Sequence, residues 1–301
     1  MIRSLLVAVL LLSATASNAQ ERVGLGLARV FNNDYLGDGK DRWRTGSYQL
    51  SYFRGPVWDG TRPGVLGELL EFRLRGETIA PDNLQNPAPG DRRHVGVLSL
   101  GLHSYATRGG MDYEGGIDLV AVGPQTGVLS MQKRLHKLLG ATAPRVDNFQ
   151  IGNAIRPTAR FEVAREMQIG RARLRPFAEV QAGAETLVRV GSDLTVGSFG
   201  IGALRMRDVV TGQRMPGIQS DDAGEGTSFL LGGDVAHVTD SVYLPRDLGY
   251  RLEEGRARLR AGVHHSWGSG AIFYGATYLS PEFEAQAEGQ TVGSVTLKFN
   301  F

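Results

Sequence analysis

The sequence predicts an all-β chain: a transmembrane antiparallel β-barrel of about 12 strands with one short helix on the extracellular side. Three observations carry this. Period-two alternation of apolar and polar residues recurs in about twelve segments, many near the length of a membrane strand. Arg and Glu recur at the polar positions of several of those segments, and a single soluble core could not bury so many charges unpaired, whereas a barrel lumen could hold them. The last alternating segment ends the chain on an aromatic residue, Phe301, as outer-membrane barrels often do.

The first nineteen residues stand apart. Arg3 gives a basic start, Leu5 to Leu12 is continuously apolar, and Ser17-Asn18-Ala19 supplies small residues for cleavage. We expect 1–19 to be a signal peptide of an exported protein and 20–301 to be one barrel domain. No apolar run after residue 12 approaches the ~18 residues of a membrane helix, so a polytopic helical protein is excluded.

Along the mature chain, Val23, Leu25, Leu27 and Phe31 nearly share one parity, with Arg29 interrupting. Tyr48, Leu50 and Tyr52 alternate with Gln49 and Ser51. Leu70, Phe72 and Leu74 alternate with Glu71, Arg73 and Arg75, and Leu98, Leu100 and Leu102 with Ser99, Gly101 and His103. Ala159, Phe161 and Val163 follow, then Leu259, Ala261 and Val263, then Ile272, Tyr274, Ala276 and Tyr278. Val295, Leu297, Phe299 and Phe301 close the series. Residues 125–139 are the one stretch that favours a helix. Pro124 can start it and Gly140 can end it. Met131, Leu135 and Leu138 give it an apolar face, and Gln132 and His136 share a polar one.

Parity also assigns sides. With the N-terminus periplasmic, the loops at 32–44, 80–93 and 123–147 face outward, and the turns near 107–111 and 168–171 are short. Segments 54–68 and 207–226 are long for the periplasmic side, which means either elaborated turns or a misplaced strand. Gly, at 41 of 301 residues, is about twice its usual ~7%, which suits close strands, bulges and tight turns. A net charge of +2 gives no field toward nucleic acid, and the absence of Cys excludes disulfides and thiolate zinc sites.

Polar clusters fall on the outward segments: Asn32-Asn33-Asp34, Asp41-Arg42-Trp43-Arg44-Thr45, and Gln132 with His136. A His beside a carboxylate can act as general base on water. Asp34, with backbone oxygens, can hold a hard cation such as calcium, which would stabilise the oxyanion of ester hydrolysis. Taken singly, Asn-Asp near Gly also reads as a turn and a lone helical His as a solvated or packing residue. Neither a G-x-S-x-G elbow nor H-E-x-x-H is present.

In combination these motifs resemble the outer-membrane lipid A 3′-O-deacylase family (LpxR-like). The likeness rests on Asn33-Asp34 followed by Asp41-Arg42-Trp43-Arg44-Thr45, on Gly90-Asp91-Arg92-Arg93 running into Val97-Leu98, and on Gly123-Pro124 with Gln132, His136 and Gly140. Asp147-Asn148, Ser280-Pro281-Glu282-Phe283 and the final Phe301 extend it over nearly the whole mature chain. The resemblance implies a twelve-stranded barrel with a calcium-dependent site between wall and helix. It implies that His136 activates water, that Asn33, Asp34 and Thr45 line the site and the metal, and that Gln132 helps bind substrate. The substrate would be the ester-linked 3′-acyloxyacyl chain of lipid A in lipopolysaccharide, reached from the outer leaflet by a monomer. Thr142 stands where the family has an acidic metal ligand, the loop 82–86 lacks the Lys of some members, and Val146 is near the position of a family Trp. The second reading is a non-catalytic outer-membrane barrel, either a small-solute channel or a structural relative.

Overall fold

A computed structural model describes residues 22–218, 225–268 and 270–299. The expected signal peptide and Phe301 lie outside the described residues. The strands in chain order are β1 (Val23–Asn33), β2 (Trp43–Gly55), β3 (Leu70–Ala80), β4 (Val95–Arg108), β5 (Met111–Val122), β6 (Ala154–Ala164), β7 (Met167–Ile169), β8 (Ala172–Ala182), β9 (Glu185–Val196), β10 (Leu204–Arg207), β11 (Arg214–Ile218), β12 (Gly226–Ser241), β13 (Gly255–Trp267), β14 (Gly270–Leu279) and β15 (Gln290–Phe299). The helix α1 spans Val128–Leu138 and follows a single 3-10 turn, Pro124–Thr126.

All strands but β10 and β11 form one 13-stranded sheet, in which β7 is a three-residue outlier beside β8. The other twelve close into an antiparallel barrel through the β1–β15 and β6–β8 pairings. The β1–β15 seam pairs Phe31–Asn33 with Val295–Gly293 and the β6–β8 seam pairs six positions, which closes the ring as a bilayer demands of a sheet. The expected all-β barrel of about 12 strands is therefore the observed one.

Side-chain parity runs as alternation requires. Phe72 and Leu74 are exposed on β3, while Glu71, Arg73, Arg75 and Glu77 are buried. Leu98, Leu100, Leu102, Ile117, Leu119, Leu259 and Val263 extend the exposed apolar belt around the outside. That surface would be a liability in water and is the stabilising surface in lipid. Among the described residues no helix is long and apolar enough to cross a membrane.

The lumen is filled by paired charges. Arg160 meets Glu179 at 2.9 Å, Arg175 meets Glu162 at 2.6 Å, Arg260 meets Asp193 at 2.6 Å and Arg258 meets Asp234 at 2.9 Å. Each of these charges thus has a partner within the same ring of strands, which is the condition for burying it at all. A cavity lined by Arg44, Arg75, Glu185 and Arg258 amounts to about 70 Å³, room for a few waters.

The two segments that fit poorly by parity are elaborated turns, with no strand misplaced. The β9–β12 connection folds back inside the barrel as the β10–β11 hairpin. Leu204, Met206, Met215 and Ile218 pack there against Val30, Phe53, Tyr105 and Phe273 from the wall. Arg207 on the hairpin pairs with Glu162 at 2.7 Å and Asp193 at 2.9 Å. The β2–β3 connection caps this plug, with Trp58 Nε1 donating to the Gly202 carbonyl at 2.8 Å.

Candidate functional site

At the outward end of the barrel, above the tip of the plug where Asp208 accepts from Asn32 at 3.0 Å, the β1–β2, β3–β4 and β5–β6 connections meet. β2 enters with a bulge between Trp43 and Gly46. Trp43 has φ 50, the left-handed region that a bulky residue occupies only when its surroundings impose it. The bulge breaks strict alternation, so that Arg44 and Ser47 both serve the lumen while Thr45 turns to the site. Arg44 reaches Glu77 and Glu282, each at 2.8 Å. Thr45 reaches the carboxylates of Asp34 and Asp41, at 3.0 and 2.6 Å. The Arg42 guanidinium lies 3.9 Å over the Trp43 ring and binds Asp82 at 3.1 Å and Glu288 at 2.8 Å, tying three loops together.

β1 ends in the 3-10 turn Asp34–Leu36. Asn33 caps that turn, its Oδ1 accepting the Tyr35 N–H at 2.9 Å. Asp34 is fully buried; its Oδ2 accepts the Arg42 N–H at 2.7 Å, and its carbonyl accepts the N–H groups of Gly37 and Asp38. Burial pushes the Asp34 carboxyl up to about 8; the Arg42 and Thr45 hydrogen bonds oppose this, and the charges of Asp41 and Asp38 add to it. A Thr hydroxyl has one proton to give. It lies within reach of both carboxylates, which therefore compete for that one proton.

α1 lies on the outside of the wall. Val128 and Leu129 are buried, and Leu129 packs with Ala80, Leu84 and Val146. Gly96 on β4 makes the approach possible, since a Cβ there would meet Thr126 Oγ1 and would lie 2.8 Å from Val128 Cβ. The helix is shorter than expected at its start because residues 124–126 wind as a 3-10 turn with Pro124 first. Met131, Leu135 and Leu138 form an exposed stripe facing away from the wall.

His136 sits in the last turn of α1. Its Nδ1 lies 2.8 Å from the Thr142 carbonyl, which only accepts, so Nδ1 carries a proton. Its Nε2 lies 3.1 Å from Asp41 Oδ2. A continuous chain therefore runs from the Thr142 carbonyl through His136, Asp41, Thr45 and Asp34 to the Arg42 backbone. His136 is 12% exposed and Asp41 38%, so the open end of this chain is at the imidazole–carboxylate contact.

The structure brings His136, Asp34 and Thr45 together. Asn33 stands beside them as the cap. Gln132 is buried on the wall side of α1, its Oε1 3.0 Å from His94 Nε2. Thr142 contributes its carbonyl to His136. Two further residues belong to the site, Asp41 and His94. Asp41 lies within a quoted motif, but only the bulge reveals that it faces the helix. His94 follows Gly90-Asp91-Arg92-Arg93 directly; burial pushes its imidazole below the ordinary value, with Gln132 opposing. Beneath the site, Glu282 is held well below the usual carboxylate range: the cost of burial is outweighed by Arg44, Arg92 and Arg256.

Another histidine, His103, faces the lumen from β4, 3.1 Å from Asp118. Among the described residues no group of three or more His, Cys, Asp or Glu side chains is arranged to hold a metal ion.

Comparison with solved structures places LpxR from Salmonella typhimurium at a TM-score of 0.74 and 18% identity, covering 93% of this chain and 100% of that one. That likeness shows a common fold. The beta domain of the Bordetella autotransporter BrkA aligns at 0.41 and 14% identity, over 92% of this chain and 99% of that one, too low a score to bear on the architecture. No curated protein matches the sequence. The family model described as outer membrane protein LpxR matches residues 5–301. A match of that length takes in every strand of the barrel and the helix against its wall: the chain belongs to the LpxR family of outer membrane proteins.

Proposed function

We propose that this outer-membrane barrel is a lipid A deacylase, a hydrolase that removes the ester-linked 3′-acyloxyacyl chain in the outer leaflet with water activated by His136. The observation that carries the reading is the chain Thr142–His136–Asp41–Thr45–Asp34 on the outside of the barrel wall. The Thr142 carbonyl fixes the proton on Nδ1 and leaves Nε2 to take one from water. At 3.1 Å the Nε2–Asp41 contact leaves no room for water, so the step requires the exposed Asp41 carboxylate to swing off Nε2; a water taking its place then donates to the freed Nε2 lone pair. Attack of that water on the ester carbon puts its proton on His136, and Asp41 stabilises the resulting imidazolium. The same proton then passes to the departing sugar oxygen, giving free acid and alcohol.

Calcium fits the oxygen donors but not a dense carboxylate cage. Asp34 and Asp41 share one hydroxyl, and Asp34 is pushed up to about 8 chiefly by burial, as expected of a site short of positive charge. The two carboxylates and the Thr45 hydroxyl would hold the ion with carbonyls and water completing its shell. Bound there, it would stabilise the oxyanion of the ester. With Thr142 in place of an acidic ligand, the reading calls for weak binding.

The exposed stripe Met131–Leu135–Leu138 beside Arg134 and Lys137 supports a lipid substrate, with acyl chain along the stripe and cations near anionic headgroups. The closure of the sheet on itself supports a monomer. The filled lumen speaks against the small-solute channel. Mass spectrometry of lipid A from cells with and without the protein tests the function. Loss of the 3′-acyloxyacyl mass is expected; an unchanged profile with correctly folded barrel present would leave a non-catalytic relative.

A further inference from the structure

At the periplasmic end the plug and the β2–β3 connection enclose a second cavity of about 980 Å³, open to that side. Its charge balance is unlike that of the lumen above it. Arg62, Arg171, Arg173, Arg205 and Arg214 line it, against Asp112 and Glu166 alone, five cations to two anions. Glu166 is shared by three of the arginines: Arg205 in close contact, Arg173 at 3.7 Å and Arg214 at 4.0 Å. Asp112 is divided between Arg175 at 3.4 Å and Arg62 at 3.8 Å.

Two guanidinium nitrogens pay for this shortage. Arg62 Nη1 and Arg214 Nη1 are buried without a hydrogen-bond partner. Arg214 is 5% exposed, so water does not compensate it freely. In the lumen above, Arg207 and Arg175 meet carboxylates at hydrogen-bonding distance. Arg73, Arg160 and Arg258, which also leave single nitrogens unpartnered, each have a carboxylate within 2.9 Å, whereas the nearest carboxylates to Arg62 and Arg214 stand 3.8 and 4.0 Å away. A buried donor left over beside a cavity of this size is a donor without its acceptor. The cavity wall at Gly197, Gly200 and Gly202 carries no side chains that could supply one.

We propose that this vestibule binds a small soluble phosphate-bearing anion of the diphosphate class, held by Arg62 and Arg214 with Arg171 at the entrance. Forked guanidinium donors match the geometry of phosphate oxygens, and several charges can be met by one multivalent anion. The lining comes from the turns at this end, with Gly60, Thr61, Gly170 and Gly200 among them, so we take the anion to come from the aqueous phase rather than from a membrane headgroup. The site lies at the far end of the barrel from His136 and is independent of the deacylase reading.

The test is calorimetric titration of the full chain, folded in zwitterionic nanodiscs, with sodium pyrophosphate at fixed ionic strength. Saturable one-to-one binding is expected, weakened at least tenfold in Arg62→Gln and in Arg214→Gln, and weakened further by added salt. Arg171→Gln changes an exposed residue, leaves the packing intact, and should also lower affinity, which keeps the test valid if a buried variant fails to fold. Lipid A hydrolysis should be unchanged in all three. No saturable binding, equal binding by acetate, or wild-type affinity in the three variants would overturn the site. Loss of pyrophosphate binding when phosphatidylglycerol replaces the zwitterionic lipid would overturn the soluble source and assign the pocket to a headgroup.

Discussion

His136 is the residue on which the chemistry turns. A positioned general base contributes ~10² to 10⁴ in rate, so His136→Asn is expected to lower deacylation by that factor while the barrel keeps its heat-dependent shift in gel mobility. His103→Asn, which alters a lumen residue paired with Asp118, should leave activity near wild type. Wild-type activity in the His136 variant would sink the assignment. The other residue-scale consequence concerns Asp34. An unfolded Asp loses its proton near pH ~4, whereas native Asp34 keeps it to about 8. Between those values the folded state binds the extra proton, so the contribution of Asp34 to stability is greatest below pH ~4 and falls as pH rises toward 8. A cation must displace that proton. Apparent calcium affinity should therefore rise with pH, by up to about tenfold per unit, and level off above pH 8. Calcium titrations followed by intrinsic fluorescence check this, and Asp34→Asn should flatten the profile. A pH-independent affinity in the unaltered protein would place the ion elsewhere. The resemblance to a known family, carried by short motifs, brought Asp34, Thr45 and His136 to notice. Asp41 and His94 stayed hidden because their roles depend on which way a bulged strand and a wall-packed helix face, and neither direction is written in residue spacing.

The elements that aim these side chains are a bulge and a helix laid on a glycine. The alternation of Gln49, Ser51 and their neighbours made β2 legible as a strand. The Trp43–Gly46 irregularity was not legible, because a bulge replaces one residue's parity without changing composition. The helix was legible from its apolar spacing, but that spacing marks the exposed stripe; the packed face is Val128, Leu129 and Gln132. Its seat is set by Gly96. Gly96→Val should push the start of α1 off β4 through the contacts with Thr126 and Val128. A displacement near 1 Å at a catalytic group can cost about 10²-fold, so activity should fall by roughly that factor with barrel and heat-modifiability intact. Unimpaired hydrolysis in Gly96→Val would show that α1 tolerates lateral movement and that His136 is not held by the wall contact.

At the scale of the whole molecule, closure and sealing are separate devices. The twelve-strand hydrogen-bonded ring closes the wall, and alternation in the sequence was enough to predict it. Sealing depends on charges meeting across the lumen and on the β10–β11 hairpin, whose inward course no local pattern reveals; its length at the periplasmic end was the one visible sign. Removing the hairpin tests the division. Replacing residues 204–218 by a short Gly-Ser turn takes Leu204, Met206, Met215 and Ile218 out of the inner core and Arg207 out of its two ion pairs. Glu162 keeps Arg175 and Asp193 keeps Arg260, so the wall charges are not left bare. The barrel is therefore expected to fold, with reduced thermal stability, and to conduct ions across a planar bilayer where the full chain does not. The site with His136 lies outside the wall, and the hairpin tip reaches its base through Asp208, which accepts from Asn32 Nδ2 at 3.0 Å; lipid A hydrolysis should persist in the folded fraction, reduced by the loss of that contact. A variant that folds and stays non-conducting would mean that the ring of Arg, Glu and Asp side chains seals the lumen alone, and that the hairpin serves the periplasmic cavity it encloses.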